Sequence, residues 1–163
     1  MAFLTSRHQN QKLSAVSCNA YILEQDTLTD KLFNPNLKKN LQLNQTRELI
    51  LHYLRPQLSH TPFPSYLYRT ENLKYQLNTD DGGKHSDVSF LIKTLETGPF
   101  LWLAEPLMHY RRHGLNDSRT IDLCDTLKIS LFYLKKSPEM ILWIFIFNMK
   151  SVLKYMLNII LRT

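Results

Sequence analysis

The residues best equipped for chemistry lie between positions 80 and 113. Asp80, Asp81, Lys84, Asp87, His109, Arg111, Arg112 and His113 place carboxylates, imidazoles and guanidinium groups in one short run. His109 and His113 have the i, i+4 spacing of a helical zinc pair, yet the glutamate of HExxH is missing, and Pro106 and Gly114 leave little room for a helix. Zinc is therefore not expected. Asp80-Asp81-Gly82-Gly83-Lys84 lacks the later ligands of a calcium loop, and Asn78 stands where a phosphate-binding loop needs its first glycine, so the stretch reads as a solvated turn. Neither GxSxG nor GxGxxG occurs, which leaves hydrolase and dinucleotide readings without support.

What remains is Asp87, in the first turn of an expected helix, and His113, on the loop expected after the next strand. The field at a helix N-terminus favours the ionised carboxylate, which could accept a proton or a hydrogen bond from a sugar hydroxyl. The same field alone also selects an acid at a helix start.

The elements that must position these groups are legible in part. Residues 13–24 alternate Val16, Cys18, Ala20 and Ile22 with Ser17, Asn19 and Tyr21, the period of a half-buried strand. Residues 25–45, polar and without a period, read as a loop. Thr46 can cap a short helix with Glu48 in its first turn, stopped by Pro56. SYLYR at 65–69 reads as a brief strand, followed by a turn of helix after Thr70. Ser86 is suited to N-cap a helix carrying Val88, Leu91, Ile92 and Leu95, ended by Gly98-Pro99. FLWLA at 100–104 predicts a strand covered on both faces, with Glu105-Pro106 terminating it and EPLMHYRRHG forming a loop. From 119, Ile121, Cys124, Leu127, Leu131 and Leu134 predict the apolar face of a helix, and Ser137-Pro138-Glu139 opens another. In that last helix Asn148, Ser151, Lys154, Asn158 and Arg162 lie along one stripe, with Met149, Val152, Met156 and Ile160 opposite. Lys150 and Lys154 interrupt its apolar run, so an interfacial helix is expected rather than a span. The order of elements implies a mixed α/β domain.

The chain has 163 residues, enough for one domain. Of its net charge of +6, residues 126–163 supply +5, with six Lys/Arg against Glu139. A localised basic tail suits an anionic lipid surface or a nucleic-acid backbone, and equally a solvated face. Cys18 and Cys124 are far apart with no CxxC, which signals neither a disulfide framework nor a zinc site and fits a reducing cytosol. The start MAFLTSRHQNQK is too short in apolar residues for a secretory signal.

Taken together, GGKHSDVSFLIKTLETGPFLWLAEPLMHYRRHGLNDS resembles the C-terminal half of the catalytic domain in bacterial family 2 glycosyltransferases, where an acidic helix start is followed by an EPL..YR.H loop. PSYLYRTENL resembles that family's arginine-bearing strand, and AVSCNAYILEQD the strand after its metal motif. The resemblance spans residues 13–118. It implies a partial GT-A-like mixed sheet with flanking helices over 1–118, lacking the nucleotide-binding half, and a membrane-associated helical tail over 119–163. Asp87 matches the catalytic base of an inverting transfer from a nucleotide-sugar donor to a glycan or lipid-linked acceptor, as in cell-surface polysaccharide synthesis. His113 matches the histidine that helps hold the divalent metal or the donor diphosphate. Arg111 and Arg112 would offset diphosphate charge.

Two departures stand out. Ser86 replaces the acid that often precedes the base, and no Asp-x-Asp occurs anywhere, so the Mg²⁺ or Mn²⁺ of the family would lack its main carboxylate ligands. The expectation is a chain lacking on the order of ~100 N-terminal residues and inactive alone. Its location would be cytoplasmic, at the inner face of the plasma membrane, and no nucleic acid is expected as a partner. The alternative is a small basic module that binds anionic membrane or nucleic acid through its C-terminal helices.

Overall fold

The computed structural model of the protein describes residues 12–24, 27–55, 58, 60–74, 77–112 and 123–160, the side chains of 73, 151 and 153–160 excepted. The fold is α/β, with a five-stranded mixed sheet and helices. It divides into two compact units, Met1–Tyr75 with Ile92–Gly114, and Gln76–Leu91 with Leu115–Thr163.

The first unit holds the sheet. Strand β1 (Ala15–Glu24) runs parallel to β5 (Phe100–Arg112) and antiparallel to β2 (Thr27–Leu32) and β4 (Leu67–Tyr68), while β3 (Leu41–Leu43) is antiparallel to β5. β1 forms where alternation predicts it, but it is not half-buried: Ser17 and Asn19 are covered as well as Val16, Cys18 and Ala20. Burial is tolerated because each polar group has a partner. Ser17 Oγ lies 2.6 Å from Thr61 Oγ1, and the Asn19 amide is bonded to the backbone of Asn34 and Ala20. Only from Tyr21 onward does an exposed side appear.

Residues 25–45 are not a loop. They contain β2 and β3, joined through Asn34, whose Oδ1 accepts from the backbone N–H groups of Asn36 and Leu37. β2 (TLTDKL) is largely exposed and lies at the sheet edge, where charged residues such as Asp30 and Lys31 discourage further pairing.

Helix α1 (Thr46–Leu54) starts one residue earlier than expected, with Gln45 as its N-cap. The Glu48 carboxylate accepts from the backbone N–H groups of Gln45 (3.0 Å) and Asn44 (2.7 Å), half of a capping box. α1 buries Leu49, Ile50 and Leu54, and His52 meets the fully buried Trp102 edge-on at 4.8 Å. Pro56 lies outside the described residues.

β4 and the turn Thr70–Lys74 fall where expected, and their polar residues fasten the start of β1. Arg69 donates from its backbone N–H to Ser14 O (3.1 Å) and from Nε to Leu13 O. The buried Asn72 donates to Ser14 O at 3.1 Å and accepts from Thr97 Oγ1 at 2.9 Å. Gly98 follows helix α2 (Ser86–Leu95); a Cβ there would stand 2.7 Å from Lys12 O, which explains the glycine by close approach.

β5 departs most from expectation. It does not end at Glu105-Pro106 but runs on to Arg112, so EPLMHYRR is strand, not loop. Three local facts accommodate the proline. β3 pairs only with Phe100–Trp102; the next free N–H on the path, that of Ala104, is taken by Asn40 Oδ1 at 3.0 Å; and the ladder to β1 slips at Asn19, which faces Pro106. A residue without an N–H is admissible at such a bulge.

The second unit comprises the 3₁₀ turns Thr79–Asp81 and Gly83–His85, the first part of α2, and helices α3 (Leu123–Lys136) and α4 (Ile141–Ile160). Ser86 is not a cap: its φ of −62° and ψ of −25° are helical, and the Gly83–His85 turn leads directly into α2, tightening the chain at the helix start. The expected solvated turn is buried at Gly82 and Gly83. The face expected for α3 is also wrong. Cys124, Leu127 and Leu131 are exposed, and Thr126, Ile129, Ser130, Phe132 and Tyr133 are inside. Ser130 Oγ lies 2.7 Å from Thr126 O and 2.8 Å from Asn148 Oδ1, which ties α3 to α4. α4 follows a 3₁₀ turn opened by Pro138, as Ser137-Pro138-Glu139 predicts. No helix among the described residues is long and apolar enough to cross a membrane.

Gly83 is held at φ +59°, and an added Cβ would fall 2.0 Å from Asp125 Oδ1. Gly83→Ala is expected to cost about 2 kcal/mol, from the left-handed backbone and the displaced carboxylate together. In urea titrations, adding Asp125→Ala should recover only the steric part; equal stability of Gly83→Ala and the parent would contradict this geometry.

Candidate functional site

Asp87 sits in the first turn of α2, and its Oδ1 accepts from the Val88 backbone N–H at 2.8 Å. Burial raises its pKa above the ordinary carboxylate value, against smaller lowering effects from the Val88 N–H and from His85. This reverses the expectation of a carboxylate held ionised by the helix field: desolvation outweighs the helix terminus here. His85, on the turn before it, is shifted down by burial, opposed by the charges of Asp87 and Asp125. Tyr133 of α3 is fully enclosed, and its phenol is pushed above its usual range by burial and then by the Asp87 charge. Asp125 completes the group, its Oδ1 accepting from the Lys84 backbone N–H at 3.2 Å.

These four side chains belong to the second unit. Together they form a half-covered carboxylate with a raised pKa beside an imidazole that burial disposes to be neutral. Such a carboxylate is a better proton acceptor than a solvated one, because its conjugate acid is less acidic. His85 stands two positions before Asp87, a proximity visible in the sequence. Tyr133, 46 positions further on, carries no signal of this kind in the sequence.

Arg111 and Arg112 belong to the first unit, at the end of β5, paired through the backbone with Leu23 and Glu24 of β1. Both side chains are exposed. His113 lies outside the described residues. The sites expected from sequence are thus placed as an acid in one unit and two arginines in the other.

The rest of the EPLMHYRRHG stretch has a packing role. Pro106, Met108 and Tyr110 are half-covered, while Glu105, Leu107, His109 and Arg111 face outward. Tyr110 meets Phe33 edge-on at 4.9 Å; Phe33 meets His60 edge-on at 5.7 Å; and His60 stacks on Tyr53 at 4.4 Å. Within this aromatic group the His60 pKa falls from 6.5 to about 4, through burial first and the nearby His52 second.

Among the described residues no three His, Cys, Asp or Glu side chains are grouped so as to hold a metal ion. His113, the residue that the resemblance assigns to the metal, lies outside those residues. Comparison of the chain with protein families, with curated proteins and with solved structures gives no match.

Proposed function

We propose that the chain carries the acceptor-side chemistry of an inverting glycosyltransferase of the GT-A type, with Asp87 as the base. The observation that carries the reading is the environment of Asp87, a carboxylate made more basic by burial at a helix start, within the run GGKHSDVSF…EPLMHYRRHG that resembles family 2 glycosyltransferases. In the reaction, Asp87 takes the proton of an acceptor hydroxyl as that oxygen forms a bond to the anomeric carbon. The bond from that carbon to the nucleoside diphosphate breaks, and the diphosphate leaves with the electron pair. The mixed sheet, with β1 parallel to β5, agrees with this reading at the level of fold class. The acceptor would be a glycan or lipid-linked sugar; no step is assigned to a metal.

The test is saccharide binding by saturation-transfer NMR with free hexoses and short oligosaccharides. Asp87→Asn keeps an oxygen for the Val88 N–H and removes a charge. Because the Asp87 pKa is raised by folding, its charged form is held at a cost that grows as pH rises through that value. Asp87→Asn is therefore expected to be at least as stable as the parent at neutral pH. Saccharide binding should survive in Asp87→Asn and weaken about tenfold in Asp87→Ala, roughly the worth of one hydrogen bond. Absence of saccharide binding, or binding indifferent to Asp87→Ala, would overturn the assignment.

A further inference from the structure

We propose that α4 lies flat on an anionic membrane surface, seated by its outward apolar stripe. Ile141, Leu142 and Phe145 are between 61% and 63% exposed, and Ile146, Met149 and Val152 are also exposed. At 100° per residue these six cover one continuous arc about 140° wide, the width of an apolar helix face that normally meets a core. The inner side of α4 is apolar as well, with Ile144 buried and Trp143 and Phe147 half-buried, and it also carries Asn148, which meets Ser130 of α3 at 2.8 Å; the exposed arc is a second apolar face, turned outward. A contiguous apolar surface of this size is uncommon on a protein that meets only water.

Charge and length select the occupant. Lys150 is exposed, one helical step beyond Ile146 at the rim of the stripe, where a long cationic side chain can reach the headgroups while its stem follows the apolar face. Exposed Lys128 and Lys135 belong to the neighbouring α3, and residues 126–163 carry +5. A second copy of the chain would bring the same positive charge against itself, whereas anionic headgroups complement it. Nor is α4 long and apolar enough to cross the bilayer, and an interfacial helix needs only a stripe and a basic rim.

The experiment is co-sedimentation of the full chain with vesicles of phosphatidylcholine alone or mixed with phosphatidylglycerol, over a salt series. Binding to the anionic vesicles should be roughly tenfold tighter or more, and should weaken as salt rises. The double variant Phe145→Asp with Met149→Asp should lose at least about tenfold, because two charges enter the apolar stripe. Both positions are exposed, so its circular dichroism and melting midpoint should match those of the parent. The proposal falls if the chain does not pellet with anionic vesicles, or if the double variant pellets equally well. It also falls if sedimentation equilibrium without lipid reveals a dimer that the double substitution dissolves, since the stripe would then be a contact between copies. These outcomes do not involve saccharide binding and leave the role of Asp87 to its own test.

Discussion

Asn19→Ala is expected to lower stability by about 4 kcal/mol, more than any other single polar substitution argued for this chain. The side chain is 0% exposed and acts as a piece of backbone. Its Oδ1 accepts from the N–H groups of Ala20 and Asn34, both at 3.0 Å, and its Nδ2 donates to Asn34 O at 2.8 Å. It does so where the β1–β5 ladder slips past Pro106, so the amide supplies bonds at a point where the regular strand pairing is interrupted. Truncation takes the acceptor from the N–H groups of Ala20 and Asn34 in the interior, each loss costing about 1–3 kcal/mol before water enters, while Asn34 O keeps only the longer bond from the Leu37 N–H at 3.4 Å. Urea denaturation followed by the fluorescence of Trp102, which belongs to the same unit, would report the loss. Asn19→Asp separates the donor from the acceptors. An aspartate keeps both accepted bonds but faces the Asn34 carbonyl without a proton until it is itself protonated. Its folded pKa should therefore be raised, with stability recovered on acidification and lost again as pH rises through that value. If Asn19→Ala is within about 1 kcal/mol of the parent, the amide is not holding the Asn34 turn.

That asparagine also explains what the sequence concealed. Val16, Cys18, Ala20 and Ile22 announce β1, and Val88, Leu91, Ile92 and Leu95 announce α2, because apolar side chains repeat there at the period of the element. Polar residues that satisfy one another inside the fold leave no such trace. Ser17 and Asn19 look like a solvent face and are core; Thr126 and Ser130 are inside α3 while the more apolar Leu127 and Leu131 are outside. β2 carries no period because both of its faces are largely open. Pro106 reads as a stop, and is one in a regular ladder, but a bulge and the end of β3 remove the need for its N–H. At the candidate site, the position of Asp87 at a helix start was legible from the apolar spacing of Val88, Leu91, Ile92 and Leu95, although Ser86 does not act as the cap. Its charge state was not, because that depends on how far the fold buries the carboxylate, and Tyr133, whose phenol responds to the Asp87 charge, lies 46 positions away.

Acidification should unfold the first unit through His60, and His60→Phe should remove most of that sensitivity. The imidazole is packed against Tyr53 at 4.4 Å and Phe33 at 5.7 Å, with His52 as the nearby titratable neighbour, and its pKa falls from 6.5 to about 4. In the unfolded chain the same group takes a proton near its ordinary value. The folded form binds that proton less readily, so His60 contributes stability that is complete above pH 6.5 and is lost as pH falls through about 4. A difference of this size corresponds to roughly 3 kcal/mol across the window. Phenylalanine preserves the ring contacts and cannot titrate. The parent should thus lose about 3 kcal/mol more than His60→Phe between neutral pH and pH 4, with the two nearly equal at neutral pH. Asp87 acts in the opposite sense, its raised pKa favouring the folded form on mild acidification, so a parent carrying both groups shows a shallower decline than His60 alone would give. Comparison of His60→Phe in the Asp87→Asn background separates the two contributions, since they belong to different units of the chain. An unchanged acid sensitivity in both backgrounds would mean that His60 is protonated in the folded protein and that the aromatic group stacks on an imidazolium instead.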